Sequence, residues 1–236
     1  MSFSIDGKTA IVTGAANGIG LAIARHFAEQ GANVMFADMD EASLHKEVGG
    51  GSDQSNLQYF AGDLREKLTI ANLLSATLDS FDRVDILINA SRQMMASDLL
   101  DLNDNSVETL LNQNFMTSLR LSQLIATRMI KQSGSQSEGQ VGAIVNLSSI
   151  AARRAHPQLL GYSVSTAALD QMTRAMAVAL APHRIRVNAV AFGSVMSASL
   201  QDMLKDNSDF RSDIEKHTPM GRIAPASDVA ETVQYL

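Results

Sequence analysis

Residues 13–20 read Thr13-Gly14-Ala15-Ala16-Asn17-Gly18-Ile19-Gly20, and their surroundings decide the fold. An apolar run, Thr9-Ala10-Ile11-Val12, leads into them. A helical pattern leads out, with Ile19, Ile23 and Phe27 recurring every four residues on one face. Gly31 then supplies a stop. Strand, glycine turn and helix in that order converge backbone N–H groups and a helix N-terminus on a phosphate. Eighteen residues past Gly20, at the end of a second apolar run (Val34-Met35-Phe36-Ala37), stands Asp38. A carboxylate there accepts hydrogen bonds from an adenosine ribose and repels a 2′-phosphate. The pattern implies a dinucleotide site that favours NAD.

Composition narrows the field. A chain of 236 residues, 45% of them hydrophobic, fits one large α/β domain over 1–236. A formal charge of −6 argues against nucleic acid or an anionic membrane surface as a partner. With no cysteine, thiol catalysis, disulfides and zinc–thiolate sites are excluded. The five histidines lack metal-site spacing. The N-terminus has no leader-like pattern and no run of about 18 apolar residues occurs, so the expectation is a cytoplasmic protein.

Apolar runs at 8–13, 33–38, 57–62, 84–89, 142–148 and 185–191 read as strands, and 18–30, 41–48, 66–80, 106–132 and 157–181 as helices. This alternation predicts a Rossmann-like, doubly wound parallel sheet with ligands at the carboxyl ends of its strands. The polar stretches 49–56 and 133–140 read as surface loops. The two longest helices carry more apolar surface than one sheet face needs. Met172, Met176 and Leu180 form one ladder, and Ala168, Ala175 and Ala179 line another side. Core packing accounts for part of this, and a helix-packed homo-oligomer, a tetramer, for the rest.

A second constellation lies downstream. Gly142-Ala143-Ile144-Val145-Asn146-Leu147-Ser148-Ser149 reads as a buried strand ending in hydroxyls, and Tyr162 follows Ser149 by thirteen residues. Together with the glycine turn, Asp38, Asp63, Asn89 and Asn114, these residues resemble the short-chain dehydrogenase/reductase family, in its single-domain branch. The resemblance covers nearly the whole chain. It implies that Gly14, Asn17, Gly18, Ile19 and Gly20 form the pyrophosphate turn. Asp38 would hold the ribose, with no basic residue at Asn17 or Met39 to welcome NADP. Asp63 and Leu64 would contact adenine, and Asn89, Ala90 and Ser91 would border the cofactor. Ser149 would bond the oxygen of a small carbonyl or alcohol substrate, Tyr162 would exchange its proton, and Asn114 would organise a water chain. Gly193 and Val195, in Phe192-Gly193-Ser194-Val195, would flank the nicotinamide.

The chain departs from the family pattern at one critical place. The motif Tyr-x-x-x-Lys reads Tyr162-Ser163-Val164-Ser165-Thr166. The family's lysine binds the nicotinamide ribose and favours the ionised tyrosine; a cation about 4 Å away at an effective dielectric near 20 contributes on the order of 4 kcal/mol. Thr166 offers a hydroxyl without charge, so Thr166→Lys is expected to raise turnover. Asn89-Ala90-Ser91 replaces Asn-Ala-Gly, and Phe192-Gly193 replaces Pro-Gly. Arg92, Arg153 and Arg154 lie on loops at the same sheet edge and read as solvent-facing or substrate-binding, with Arg153 the first candidate for a substitute cation.

Two functions follow from this pattern. One is an NAD(H)-dependent oxidoreductase, resting on Asn114, Ser149 and Tyr162. The other is an NAD-binding protein without turnover, a sensor or oligomer subunit, resting on Thr166, Ser91 and Phe192. The loop after Val195, with Met196, Leu200, Met203 and Leu204, reads either as a mobile lid or as an amphipathic surface helix. Residues 219–236 resemble the helix before the family's final strand, and that strand is expected to be missing from the chain.

Overall fold

The computed structural model describes residues 4–49, 56–134, 138–205 and 208–236. The chain alternates strand and helix from the start: β1 (Thr9–Thr13), α1 (Gly18–Glu29), β2 (Asn33–Asp38), α2 (Glu41–Val48), β3 (Leu57–Ala61), α3 (Lys67–Phe81) and β4 (Ile86–Asn89). Helix α4 (Ser106–Leu110), a π-helical stretch (Leu111–Met116) and α5 (Thr117–Ser133) follow, then β5 (Gly142–Ser149), α6 (Leu160–Leu180) and β6 (Ile185–Phe192). The chain continues through β7 (Val195–Met196), α7 (Ala198–Lys205), α8 (Ser208–Lys216), β8 (Ala224–Pro225) and α9 (Ala226–Tyr235).

The main sheet runs β3-β2-β1-β4-β5-β6, with every pairing parallel. All residues of β1, β4 and β5 are buried, as strands covered on both faces must be. Alternation along each strand divides the core. Ala10, Val12, Phe36, Ile88 and Val145 pack with Ile23 and Phe27 of α1 and with Val229 and Val233 of α9. Ile11, Met35, Leu87 and Ile144 pack on the opposite face with Leu73 of α3 and Leu121, Ile125 and Met129 of α5. Of the ladder expected in α1, Ile23 and Phe27 form the buried stripe while Ile19 is only partly buried, and burying a side chain such as Phe27 contributes roughly 1.5–3 kcal/mol.

The doubly wound sheet expected from the alternation is present, with element bounds displaced by a few residues. The helix expected over 106–132 is broken: a π-helical stretch at Leu111–Met116 inserts between α4 and α5 and carries the buried Asn114. The hydrophobic pattern does not register such a bulge, because one extra residue in a turn leaves the apolar stripe on both sides intact. The segment after Val195 resolves into α7 and α8, with Leu204 buried and Met203 exposed. Residues 50–55 and 135–137, within the two predicted polar loops, lie outside the described residues. Among the described residues no helix is long and apolar enough to cross a membrane, and no cluster of His, Asp or Glu could hold a metal ion.

Candidate active site

The turn between β1 and α1 is built for an anion. Asn17 precedes α1 in extended conformation and its side chain makes no capping bond, so the first N–H groups of the helix keep their hydrogen-bonding capacity. Two glycines make the approach possible. A Cβ on Gly20 would lie 2.1 Å from the Gly14 carbonyl oxygen, and one on Gly14 would lie 2.9 Å from backbone atoms of Ala90 and Ser91. These contacts pull helix, β1 and the end of β4 together at the carboxyl edge of the sheet.

A cavity of about 1140 Å³ opens over this edge. Gly14, Asn17, Gly18, Ile19 and Gly20 line one end, with Asp38, Asp63 and Leu64 beside them and Ala90 and Ser91 further along. Asp38 is fixed by main-chain donors: Oδ2 accepts from Ala16 N–H (3.1 Å), and Oδ1 from Met39 N–H (2.7 Å) and Asp40 N–H (3.1 Å). The same cavity holds Arg65, but its guanidinium is committed to Asp63 through bonds of 2.5–3.0 Å. That bond holds the Asp63 carboxyl below the usual carboxylate range. An uncapped helix end, a glycine cradle and an unpaired-by-cation carboxylate at the rim fit a dinucleotide.

Asn89 stands apart from the cavity wall. Its amide donates to Ser122 Oγ (3.0 Å) and Asn146 Oδ1 (2.7 Å), and Asn146 in turn donates to Thr173 Oγ1 (2.8 Å). This buried chain ties β4 to β5, α5 and α6, while Ala90 and Ser91 alone of the Asn-Ala-Ser run face the cavity. Gly193 and Val195 are also off the wall. Val195 is buried and pairs with Ala224 of β8, and the cavity is bounded there by Ser197, Asp202 and Met203. The face after Val195 thus borders the cavity through α7.

Ser149 and Tyr162 are both buried, Ser149 at the end of β5 and Tyr162 in the first turn of α6, and neither lines this cavity. Ser149 Oγ accepts from Ala151 N–H (3.1 Å). Tyr162 Oη accepts from Arg92 Nη1 (3.0 Å). The same nitrogen reaches the Ser148 carbonyl (3.4 Å), and the guanidinium lies 4.5 Å from the centre of the Phe192 ring. Arg92 also lines the cavity, so it joins the cavity to the phenol. Thr166 is buried with its hydroxyl turned back onto its own helix, donating to the Tyr162 and Ser163 carbonyls (2.8 and 3.1 Å).

Asn114 does more than the expected water chain would need of it. Its amide accepts from Gln93 N–H (2.8 Å) and donates to the Gln93 carbonyl (2.9 Å) and to Ser165 Oγ (3.2 Å). The π-helical stretch thus clamps the loop that carries Arg92. Arg153, the first candidate for a substitute cation, is corrected by the structure: it pairs with Asp170 at 3.3 Å. The sequence offers Arg92 as one of three arginines at this edge without singling it out, and it gives no sign of Gln93. The available signal was the coincidence of three departures, at Ser91, Thr166 and Phe192, around one arginine.

The family model described as enoyl-(acyl carrier protein) reductase matches residues 14–236. An uncharacterized oxidoreductase of Mycobacterium tuberculosis is 30% identical, over 99% of this chain and 86% of its own length. The L-fucose dehydrogenase of Mus musculus is 29% identical over 98% of this chain and 82% of its own. Among solved structures, a short-chain dehydrogenase/reductase of unknown function from Caenorhabditis elegans, crystallised with cofactor, superposes with a TM-score of 0.84 at 25% identity, covering 98% of this chain and 88% of that one.

Proposed function

We infer the activity from one premise: this chain belongs to the short-chain dehydrogenase/reductase family. It is an oxidoreductase of that family, and we propose that it uses NAD(H) to interconvert an alcohol and a carbonyl. The observation that carries this reading is a buried tyrosine hydroxyl in the first turn of α6, joined through Arg92 to a cavity with a phosphate cradle, with a buried serine hydroxyl at the end of β5. The names of relatives, a sugar dehydrogenase and a 3-oxoacyl-(acyl-carrier-protein) reductase among them, support an alcohol or carbonyl substrate.

A nicotinamide cofactor would supply or accept the hydride here. Gly14, Asn17, Gly18, Ile19 and Gly20 would hold its pyrophosphate, Asp38 the adenosine ribose, Asp63 and Leu64 the adenine, and Ala90 and Ser91 would border it. Hydrogen-bond accounting assigns the protons. Ser149 Oγ already accepts from Ala151 N–H, which leaves its own O–H to donate to the substrate oxygen. Tyr162 Oη accepts from Arg92, which leaves its O–H to pass to a carbonyl oxygen in reduction or to be regained in oxidation. The test is NADH consumption with a panel of ketones, aldoses and acyl thioesters. Turnover of at least one supports the reading, and NADH binding without turnover of any favours a non-catalytic role.

Cofactor preference provides a second check. Asp38 opposes a 2′-phosphate by charge, and Arg65, which lines that part of the cavity, is occupied by Asp63. NAD(H) should therefore bind at least about tenfold tighter than NADP(H), roughly 1.4 kcal/mol. Calorimetric titration with both cofactors measures this, and equal affinities would remove Asp38 from the ribose.

We also propose a homo-oligomer, a tetramer, assembled through α5 and α6. In the Met172-Met176-Leu180 ladder Met172 is buried and Met176 and Leu180 pack partly buried on the core, while Ala175 and Ala179 are exposed with Val178 beside them and Ala168 is half-buried. A face of small apolar residues lets a second helix approach closely. Analytical ultracentrifugation should show a multimer at micromolar concentration, and a monomer there would count against the interface.

A further inference from the structure

Reduction of a carbonyl through Tyr162 leaves a negative charge on the phenol oxygen, and a charge formed in a buried site needs a cation beside it. Position 166, one helical turn from Tyr162, holds a threonine whose hydroxyl is bonded to helix carbonyls. We propose that Arg92 is the catalytic cation of this site, taking over from the segment after β4 the charge that a lysine at position 166 would supply. The proposal rests on the oxidoreductase reading above.

The geometry supports this residue in three ways. First, Arg92 Nη1 donates to the reacting oxygen itself, at 3.0 Å. Second, its backbone is braced on both sides. Thr13 Oγ1 accepts from Ala90 N–H and Ser91 N–H, each at 3.0 Å, and Asn114 binds both polar groups of Gln93. Third, the guanidinium is seated by the Ser148 carbonyl and by the Phe192 ring face, where the cation–π attraction and the carbonyl dipole both favour a positive charge. Among the described residues no carboxylate pairs with it, so its charge is not spent elsewhere.

Phe192 and Thr166 thereby gain a common explanation. A proline at 192 would offer no aromatic face to the guanidinium, and a lysine at 166 would bring a second cation to one phenol. Asn114 and Thr13 act as positioning residues, through the loop, and Phe192 positions the guanidinium directly.

Arginine and lysine differ in one consequence. A guanidinium holds its protons throughout the accessible pH range, so it stabilises the phenolate without passing a proton to it. In reduction the Tyr162 O–H bond breaks and the alcohol O–H bond forms, with the hydride arriving from the nicotinamide. The phenolate is then reprotonated by water, to which the exposed side of Arg92 gives access.

The test compares wild type, Arg92→Ala and the double variant Arg92→Ala/Thr166→Lys, as full chains, on one carbonyl that the wild type reduces. Arg92→Ala should lower kcat on the order of 10²-fold, with NADH affinity by calorimetry held within about threefold. The double variant, which returns a cation from position 166, should recover at least about tenfold of the loss, and so should Arg92→Ala supplied with millimolar guanidinium. The guanidinium arm keeps the test decisive should the double variant fail to fold. Wild-type kcat in Arg92→Ala would overturn the proposal, as would a loss that neither cation repairs and that weakened NADH binding accompanies. A wild type that reduces no carbonyl at all would instead overturn the oxidoreductase reading itself.

Discussion

Tyr162→Phe is expected to lower kcat by roughly 10²–10⁴-fold, the range supplied by a positioned acid–base group. The variant keeps the buried ring, so the packing of α6 against its neighbours is preserved, and it removes one atom, the oxygen that accepts from Arg92. Loss of that oxygen removes both the proton donor and the anchor of the guanidinium, so the effect should be at least as large as that of Arg92→Ala. NADH affinity should change little, because the phosphate cradle and Asp38 lie elsewhere along the cavity. Steady-state kinetics with parallel calorimetry separates the two effects. Turnover at the wild-type rate would show that Tyr162 carries no proton in the reaction.

Gly20→Ala is expected to abolish tight cofactor binding, with NADH affinity falling at least about 10²-fold, or roughly 2.7 kcal/mol. The added methyl would lie 2.1 Å from the Gly14 carbonyl oxygen and 2.7 Å from its carbonyl carbon, and both are backbone atoms. Neither can rotate away as a side chain would, so α1 must move off the end of β1. That movement opens the cradle at the point where helix N–H groups and the glycine turn converge. Overpacking of this kind also costs about 1–3 kcal/mol of stability, so the melting temperature should drop by several degrees. A variant that binds NADH as tightly as wild type would show that the turn does not hold the phosphates.

Much of this architecture was legible in the residues because its signals are local. The strand Thr9–Thr13, the glycine turn and the Ile23–Phe27 stripe follow one another within about two dozen residues, and short-range periodicity reports them directly. The six parallel strands follow for the same reason. The π-helical stretch at Leu111–Met116 was not legible, since an insertion of one residue per turn changes hydrogen bonding without changing which residues are apolar.

The catalytic end of the site was legible in part. Ser149 and Tyr162, the two hydroxyls that the sequence singles out, are both buried, one at the end of β5 and the other in the first turn of α6. Thr166, Ser91 and Phe192, read one at a time, looked like losses. Arg92 is distant from Tyr162 by 70 positions in the chain, and only the fold places its guanidinium on the phenol. The sequence offers Arg153 as the first candidate for a substitute cation, yet Asp170 holds it. The gain first expected of Thr166→Lys presumed a site with no cation, and with Arg92 bonded to Tyr162 that gain belongs to the Arg92→Ala background.

The most direct test follows the hydrogen itself. NADH carrying deuterium at its transferable ring position is incubated with the protein and a carbonyl panel, and the alcohol products are analysed by mass spectrometry. Wild type should place deuterium on the carbinol carbon of at least one product, and Tyr162→Phe should do so far more slowly while still binding NADH. Protein that binds NADH yet transfers deuterium to no carbonyl would contradict an active oxidoreductase and leave the cavity a cofactor-binding site alone.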